Sequence, residues 1–438
     1  MTIIHRRLIY ISFIVIFLIS APLIILYTMG YRYNIGKGRV QKTGIIRVTS
    51  VPSGADIYLN GTKYGLSQTP ARIEKLLPGD YEIKLSKDGF YDWQKKLPVY
   101  ENGTTFAEKV ILWKKSAASV ISTTTADSWL VSPDKNIVAI TDKLGSVSLL
   151  DINSGIFGET SGGSFETITS ISSYDDLKLS SFSPSGRYII AEAVKGGKTA
   201  YYLIDTLSKN NKKISSQDFI NVKWEASSDN LYALDKTGLW TINLASLKPQ
   251  ISTKGLIASD FYVSNKSLYF IADGVLKRQA LGENNSSAVE KLSCADCRIY
   301  GIKSNRLIAL GAGGDMSIID LNRQVKTINA KAKNIDWLNP NSMIFSNDYE
   351  IFIYEFAKSD PELITRLGSP ITSAIWHPNG RHLIFSTDNK IKIIELDNRE
   401  LRNIIEINDS AASFMTADRA GNNLYFSSAS GINKLNLQ

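Results

Sequence analysis

Catalytic signatures are scarce in this 438-residue sequence. No Gly-x-Ser-x-Gly elbow is present, which removes hydrolases that hold their serine on a strand-to-helix turn. Neither the Gly-x-x-x-x-Gly-Lys-Ser/Thr phosphate loop nor a His-Glu-x-x-His zinc helix occurs. Cysteine is confined to Cys294 and Cys297, and histidine to His5, His377 and His382. A tetrahedral zinc site wants four ligands, so the cysteine pair would have to recruit His377 and His382 from a distant part of the chain. The Cys-Ala-Asp-Cys spacing also lacks the βαβ setting of a thiol redox motif. What remains is a local disulfide if the compartment is oxidising, two inert thiols, or a metal or redox role. No cofactor is expected.

Charge is missing altogether from residues 8–31, a run rich in Ile, Leu, Phe and Val. As a helix it would extend about 36 Å, enough to cross a bilayer core of about 30 Å. A retained membrane anchor is expected, with the lipid bilayer as its partner. A cleaved signal peptide is the runner-up, but its apolar stretch is usually shorter, and no clear Ala-x-Ala site follows here. His5, Arg6 and Arg7 precede the run, as in a signal anchor whose N-terminus stays inside. Arg32, Lys37, Arg39 and Lys42 follow it and argue the other way. Large domains are translocated largely regardless of such charges, so the expectation is a single-pass cell-membrane protein with its main body extracytoplasmic.

Acid is equally absent from residues 1–43, which hold six Lys and Arg. Residues 44–115 hold eleven basic and eight acidic residues, leaving 33 of the 50 basic and 34 of the 42 acidic residues for the remainder. The net charge of +8 therefore sits at the membrane end. Basic residues beside a span are drawn to anionic headgroups, or simply form a solvated, topology-setting flank. Without a basic face on the C-terminal part, nucleic acid is not an expected partner.

From about residue 127 onward the chain repeats itself roughly every 40 residues, a period that signals a β-propeller. The phrase opens at Ser132-Pro133-Asp134, again at Ser183-Pro184-Ser185-Gly186, and later at Asn339-Pro340, His377-Pro378-Asn379-Gly380 and Ala417-Asp418. After each comes an apolar strand, a Gly, Asn or Asp turn that tolerates positive φ, and a second apolar strand. Weaker copies run over residues 225–244, 263–281 and 303–321. Eight copies are counted. A count of seven is the alternative, with residues 156–181 irregular. Such blades cannot bury both faces alone, so they stack around an axis and the ring must close. The sequence ends after what reads as a third strand, and residues 118–122 have the length and alternation to supply the fourth beside residues 432–437.

These repeats resemble the WD40-like propeller repeats of bacterial extracytoplasmic proteins, the group that includes the TolB family. Residues 44–115 form a different, small all-β unit, with strands expected at 45–51, 56–59, 71–76, 80–85 and 106–112 and a tight turn at Asn60-Gly61. Here Val48-x-Ser50-x-Pro52-Ser53-Gly54-Ala55-x-Ile57-x-Leu59-x-Gly61, Gly65-x-x-x-Thr69-Pro70, Leu77-Pro78-Gly79-x-Tyr81 and Lys87-x-Gly89-Phe90 resemble the PEGA domain. Ser53 stands where the tetrad has Glu. The resemblance implies a bacterial envelope protein and a binding or spacer role for this unit.

Other residues have two readings. Asp134, Asp151, Asp205 and Asp320 recur at turns and strand ends, where Asp caps the backbone; convergent carboxylates would instead suit a propeller glycosidase. Gly311-Ala312-Gly313-Gly314 has no helix after it and reads as a β-turn. Trp129, Trp224, Trp240, Trp337 and Trp376 suit blade packing, or an aromatic platform at the axial mouth. The expected protein is all-β and not an enzyme: anchor and basic linker (1–43), PEGA-like domain (44–115) and an eight-bladed propeller (116–438) that binds a protein, peptide or glycan. A hydrolase of cell-surface carbohydrate and a passive spacer are the alternatives.

Overall fold

The computed structural model describes residues 3–153, 163–172 and 174–438. The chain divides into two compact units, one comprising Met1–Lys115, Asp397–Ile405 and Gln438, the other Ser116–Leu396 and Glu406–Leu437.

The first unit opens with a 26-residue helix, Ile3–Thr28, long and apolar enough to cross a membrane by length and composition. Pro22 lies inside it. Arg32 closes its end, donating from Nη1 to the Tyr27 carbonyl at 2.8 Å, which occupies one of the carbonyls a helix terminus leaves unpaired. A short hairpin follows, Tyr31–Asn34 paired with Arg39–Lys42, which the apolar-pattern reading did not find.

Next come two small sheets. One has the order Ala71–Leu76, Gly44–Val51, Thr104–Ile111, the last pair parallel; the other runs Thr62–Gln68, Asp56–Leu59, Gly79–Ser86, Trp93–Val99. Ile46, Val48, Ile57, Ile73, Ile83 and Leu85 fill the core between them, as period-2 alternation dictates. Thr62–Gln68 and Trp93–Val99 were not among the expected strands. The motif residues are turn chemistry: Thr69 Oγ1 meets Ser50 Oγ at 2.5 Å and accepts from Ala55 N at 3.0 Å, while Gly54 N donates to Thr69 O at 2.7 Å. Lys95 is buried, its ammonium donating to the Asp397 carbonyl at 2.7 Å.

The second unit contains eight four-stranded antiparallel sheets among the described residues. Seven are built from consecutive strands, beginning with Ser128–Val131, Ile137–Thr141, Ser146–Asp151 and Phe165–Ser170. The last takes Phe414–Ala417, Asn423–Ser428 and Gly431–Asn436 from one end of the unit and Ser119–Ser122 from the other. Its register is Ser119 opposite Lys434, Val120 opposite Asn433 and Ser122 opposite Ile432. Of residues 156–181, which the seven-fold count would leave irregular, those up to 162 and residue 173 lie outside the described residues; the others supply Phe165–Ser170 and Asp176–Phe182.

Second strands are buried on both faces, so they read as apolar runs such as Leu231-Tyr232-Ala233-Leu234. Leu231 and Ala233 pack with Ile190 and Leu203 of the preceding sheet, whereas Tyr232 and Leu234 pack with Phe261 and Leu268 of the next. The same sharing joins first to second, fourth to fifth, fifth to sixth and sixth to seventh sheets. Val138, Ile140 and Leu150 of the first sheet share a core with Tyr425 and Ile432 of the last.

The repeated phrase lies between first and second strands. Ser132 N donates to Ile137 O at 2.8 Å and Ser183 N to Tyr188 O at 2.7 Å, while each serine hydroxyl accepts from the amide five residues on. Asp134, Asp151, Asp205 and Asp320 each accept from an amide two residues ahead, as turn caps.

Gly431 has φ +113°, and a Cβ there would overlap the Ser122 carbonyl oxygen, so only glycine lets the two ends of the unit meet. Gly255 also has positive φ but faces open space. Gly431→Ala should therefore lower stability by about 1–3 kcal/mol more than Gly255→Ala, read as denaturation midpoints of the two variants.

Candidate functional site

First strands contribute the innermost edge of each sheet, and an unpaired edge must find other partners for its N–H groups. Side chains of the adjacent sheet supply them. Asp260 Oδ2 accepts from Ile299 N at 2.6 Å, Asp336 Oδ2 accepts from Trp376 N at 2.7 Å, and Ser128 Oγ accepts from Leu179 N at 3.2 Å. Asp260 is further held by Asn221 Nδ2 and by Lys223 Nζ, each at 2.6 Å, and Lys223 also donates to Ile299 O at 2.8 Å.

Inside these edges lies a cavity of about 1090 Å³. Every one of the eight first strands lines it, through Leu130, Ser181, Lys223, Tyr262, Tyr300, Trp337, Trp376 and Thr416 among others. A space reached by all eight sheets is their common centre.

Charges of both signs meet there. Glu192, Asp296 and Asp336 face Lys135, Arg298 and Lys303. Lys135 Nζ reaches the Trp337 carbonyl at 3.3 Å. Burial pushes the Asp336 carboxyl above the usual carboxylate range, against the opposing pull of Lys135 and of the backbone amides of Trp376 and Trp337. Burial, with the Asp336 charge behind it, raises the Tyr300 phenol as well. The Glu192, Arg298 and Lys303 side chains make no hydrogen bond or ion pair among the described residues. Asp260 and Asn221 are spent on the sheet edges; these three are not.

The tryptophans serve packing first. Trp224 and Trp376 are buried in inter-sheet cores, and Trp129, Trp240 and Trp337 pack partly buried against others. Trp129 stacks on Phe414 at 6.3 Å between the first and last sheets. Trp224, Trp337 and Trp376 also border the cavity.

Cys294 and Cys297 are buried with Cα atoms 5.3 Å apart. Between them Asp296 accepts from Ala312 N at 2.9 Å, tying this loop to the Gly311–Gly314 turn. His377 is buried, its Nε2 2.9 Å from the Gly421 carbonyl, and its ring is 6.3 Å from that of His382. No group of three potential metal ligands exists among the described residues. The inner-edge acids Asp260 and Asp336 escaped the sequence reading because each lies within or beside an apolar strand, where nothing local marks an acid as useful.

Comparison with known proteins adds two findings. The PEGA domain profile matches residues 43–111. The C-terminal WD40 domain of Sif2 is similar in structure, with a TM-score of 0.50 at 12% identity, over 74% of this chain and 97% of that one. Sqt1 of Saccharomyces cerevisiae superposes with a TM-score of 0.48 at 11% identity, over 74% and 98%. At that identity the Sif2 likeness shows a WD40-type propeller fold and nothing of function. No curated protein matches the sequence.

Burial lowers the His377 pKa below its ordinary 6.5, outweighing the Gly421 carbonyl and Asn379. The unfolded chain therefore takes up this proton first. The contribution is present above about pH 6.5 and is lost as pH falls toward the folded-state pKa. Denaturation midpoints of the intact protein should fall below pH 6.5, and His377→Gln should flatten that slope.

Proposed function

We propose that this chain is a single-pass membrane protein whose eight-bladed propeller stands outside the cytoplasm and binds a protein, peptide or glycan. The carrying observation is the axial cavity: eight first strands border it, and Glu192, Arg298 and Lys303 are left uncommitted on its wall. Mixed charge beside tryptophan suits recognition of a polar chain. We read the role as binding, not catalysis, because Asp260 and Asp336 are occupied in holding neighbouring sheets together. The near balance of charge in residues 116–438 speaks against nucleic acid.

The helix Ile3–Thr28 supports the anchor, and the PEGA match supports an envelope setting. An oxidising compartment would join Cys294 to Cys297 as a disulfide, for which their spacing is suitable. A second reading, hydrolysis of surface carbohydrate, has one observation behind it, the raised pKa of Asp336 in the cavity. Under it, Asp336→Asn would abolish turnover of glycan substrates; under ours, no turnover exists to abolish.

Protease added to intact cells should digest the propeller; without protease the full chain should sediment with the membrane fraction, and a fragment beginning at residue 43 behind a cleavable signal peptide should be released. Protection of the propeller would overturn the extracytoplasmic placement. Intact-mass measurement of the secreted fragment should show the loss of two hydrogens, restored by reductant.

A further inference from the structure

The hairpin Tyr31–Asn34/Arg39–Lys42 contributes no side chain to the apolar core cluster of residues 46–112, yet its two faces are chemically distinct. Opposite residues in an antiparallel pair share a face, and successive residues alternate. Tyr33 opposite Val40 and Tyr31 opposite Lys42 place Tyr31, Tyr33, Val40 and Lys42 on one side; Arg32 opposite Gln41 and Asn34 opposite Arg39 form the other. On the first side Tyr33 is 61% exposed and Val40 54% exposed, and Ile35 at the turn is 88% exposed. A soluble hairpin gains nothing by holding Ile35 in water.

Position supplies the occupant. Only Met29 and Gly30 separate the hairpin from the helix, and Arg32 binds back onto that helix, its guanidinium 3.5 Å from the Tyr27 ring centroid. Thr43 N and Oγ1 both reach the Gly30 carbonyl, at 2.9 and 3.0 Å, closing the base. The hairpin is thus tied to the end of a helix that spans the bilayer on the reading above, on which this inference rests. Arg32, Lys37, Arg39 and Lys42 lie here, and residues 1–43 carry no acid. Tyrosines beside cations, next to a span, suit the headgroup layer.

We infer that residues 31–42 form an interfacial hairpin that seats Tyr33, Ile35 and Val40 at the acyl boundary and binds anionic lipid headgroups through Lys37, Arg39 and Lys42, with Arg32 holding it to the helix end. The span then has a second, lipid-selective foothold on the side of the body.

Full-length protein in phosphatidylcholine nanodiscs, with and without 30% phosphatidylglycerol, tests this by amide hydrogen exchange. Exchange at residues 31–42 should slow by about fivefold or more in the anionic discs, the factor about one cation supplies at an anionic surface. Replacing Lys37, Arg39 and Lys42 together by Gln, with Arg32 kept as the tie to the helix, should erase that difference, with residues 44–111 exchanging as before to show an intact fold. Equal exchange in both discs would overturn the inference while protection of residues 8–28 left the span standing. Exposure of residues 8–28 in both would overturn the span, and the inference with it.

Discussion

The second unit depends on one constraint: a four-stranded sheet with apolar side chains on both faces has no stable existence except between two others. Leu231 and Tyr232 are adjacent in sequence and point into different cores, one shared with the sheet before and one with the sheet after. Burying a side chain of this size is worth about 1.5–3 kcal/mol, and each sheet carries several on each face. An open row would leave two such faces in water. Pairing Ser119–Ser122 with Gly431–Asn436 joins the two ends of the unit, and the shared core of Val138, Ile140, Tyr425 and Ile432 covers what would otherwise be the exposed faces.

Closure has a consequence at the centre. Each sheet turns its first strand inward, so unpaired amides converge where sheets are nearest one another. Acids and hydroxyls from the neighbouring sheet accept from those amides, and in doing so fix the spacing of the inner strands. A carboxylate used this way is held by several donors, as Asp260 is by Asn221, Lys223 and Ile299. The centre is polar because its backbone edges demand it.

What was legible follows from where the apolar signal lies. Second and third strands stand out because they are buried, and the Ser-Pro-Asp phrase stands out because its turn requires those residues. The closing segment was legible too, since its partner lacked an outer neighbour. Outer strands such as Asn210–Lys213 are solvent-facing, and Asn-Asn-Lys-Lys carries no pattern. The edge strand Thr62–Gln68 is likewise almost wholly exposed. In Trp93–Val99 the alternation was broken by Lys95, which lies on the buried face where its ammonium donates a hydrogen bond to the carbonyl of Asp397, about 300 residues away in sequence. No local pattern could announce that. The cavity acids were hidden for a similar reason, their partners being backbone amides of a different repeat.

The central polar groups divide into those that hold the fold and those that do not. Asp260 and Asp336 cannot be replaced by apolar residues without stranding amides of the next sheet, so their side chains are fixed by architecture. Glu192, Arg298 and Lys303 face the same space without such duties. Their substitution leaves every inter-sheet bond described above intact, so they can vary while the ring stays closed. On the binding role proposed above, specificity would belong to the uncommitted side chains on the cavity wall, while rigidity belongs to the acids that touch the neighbouring backbone.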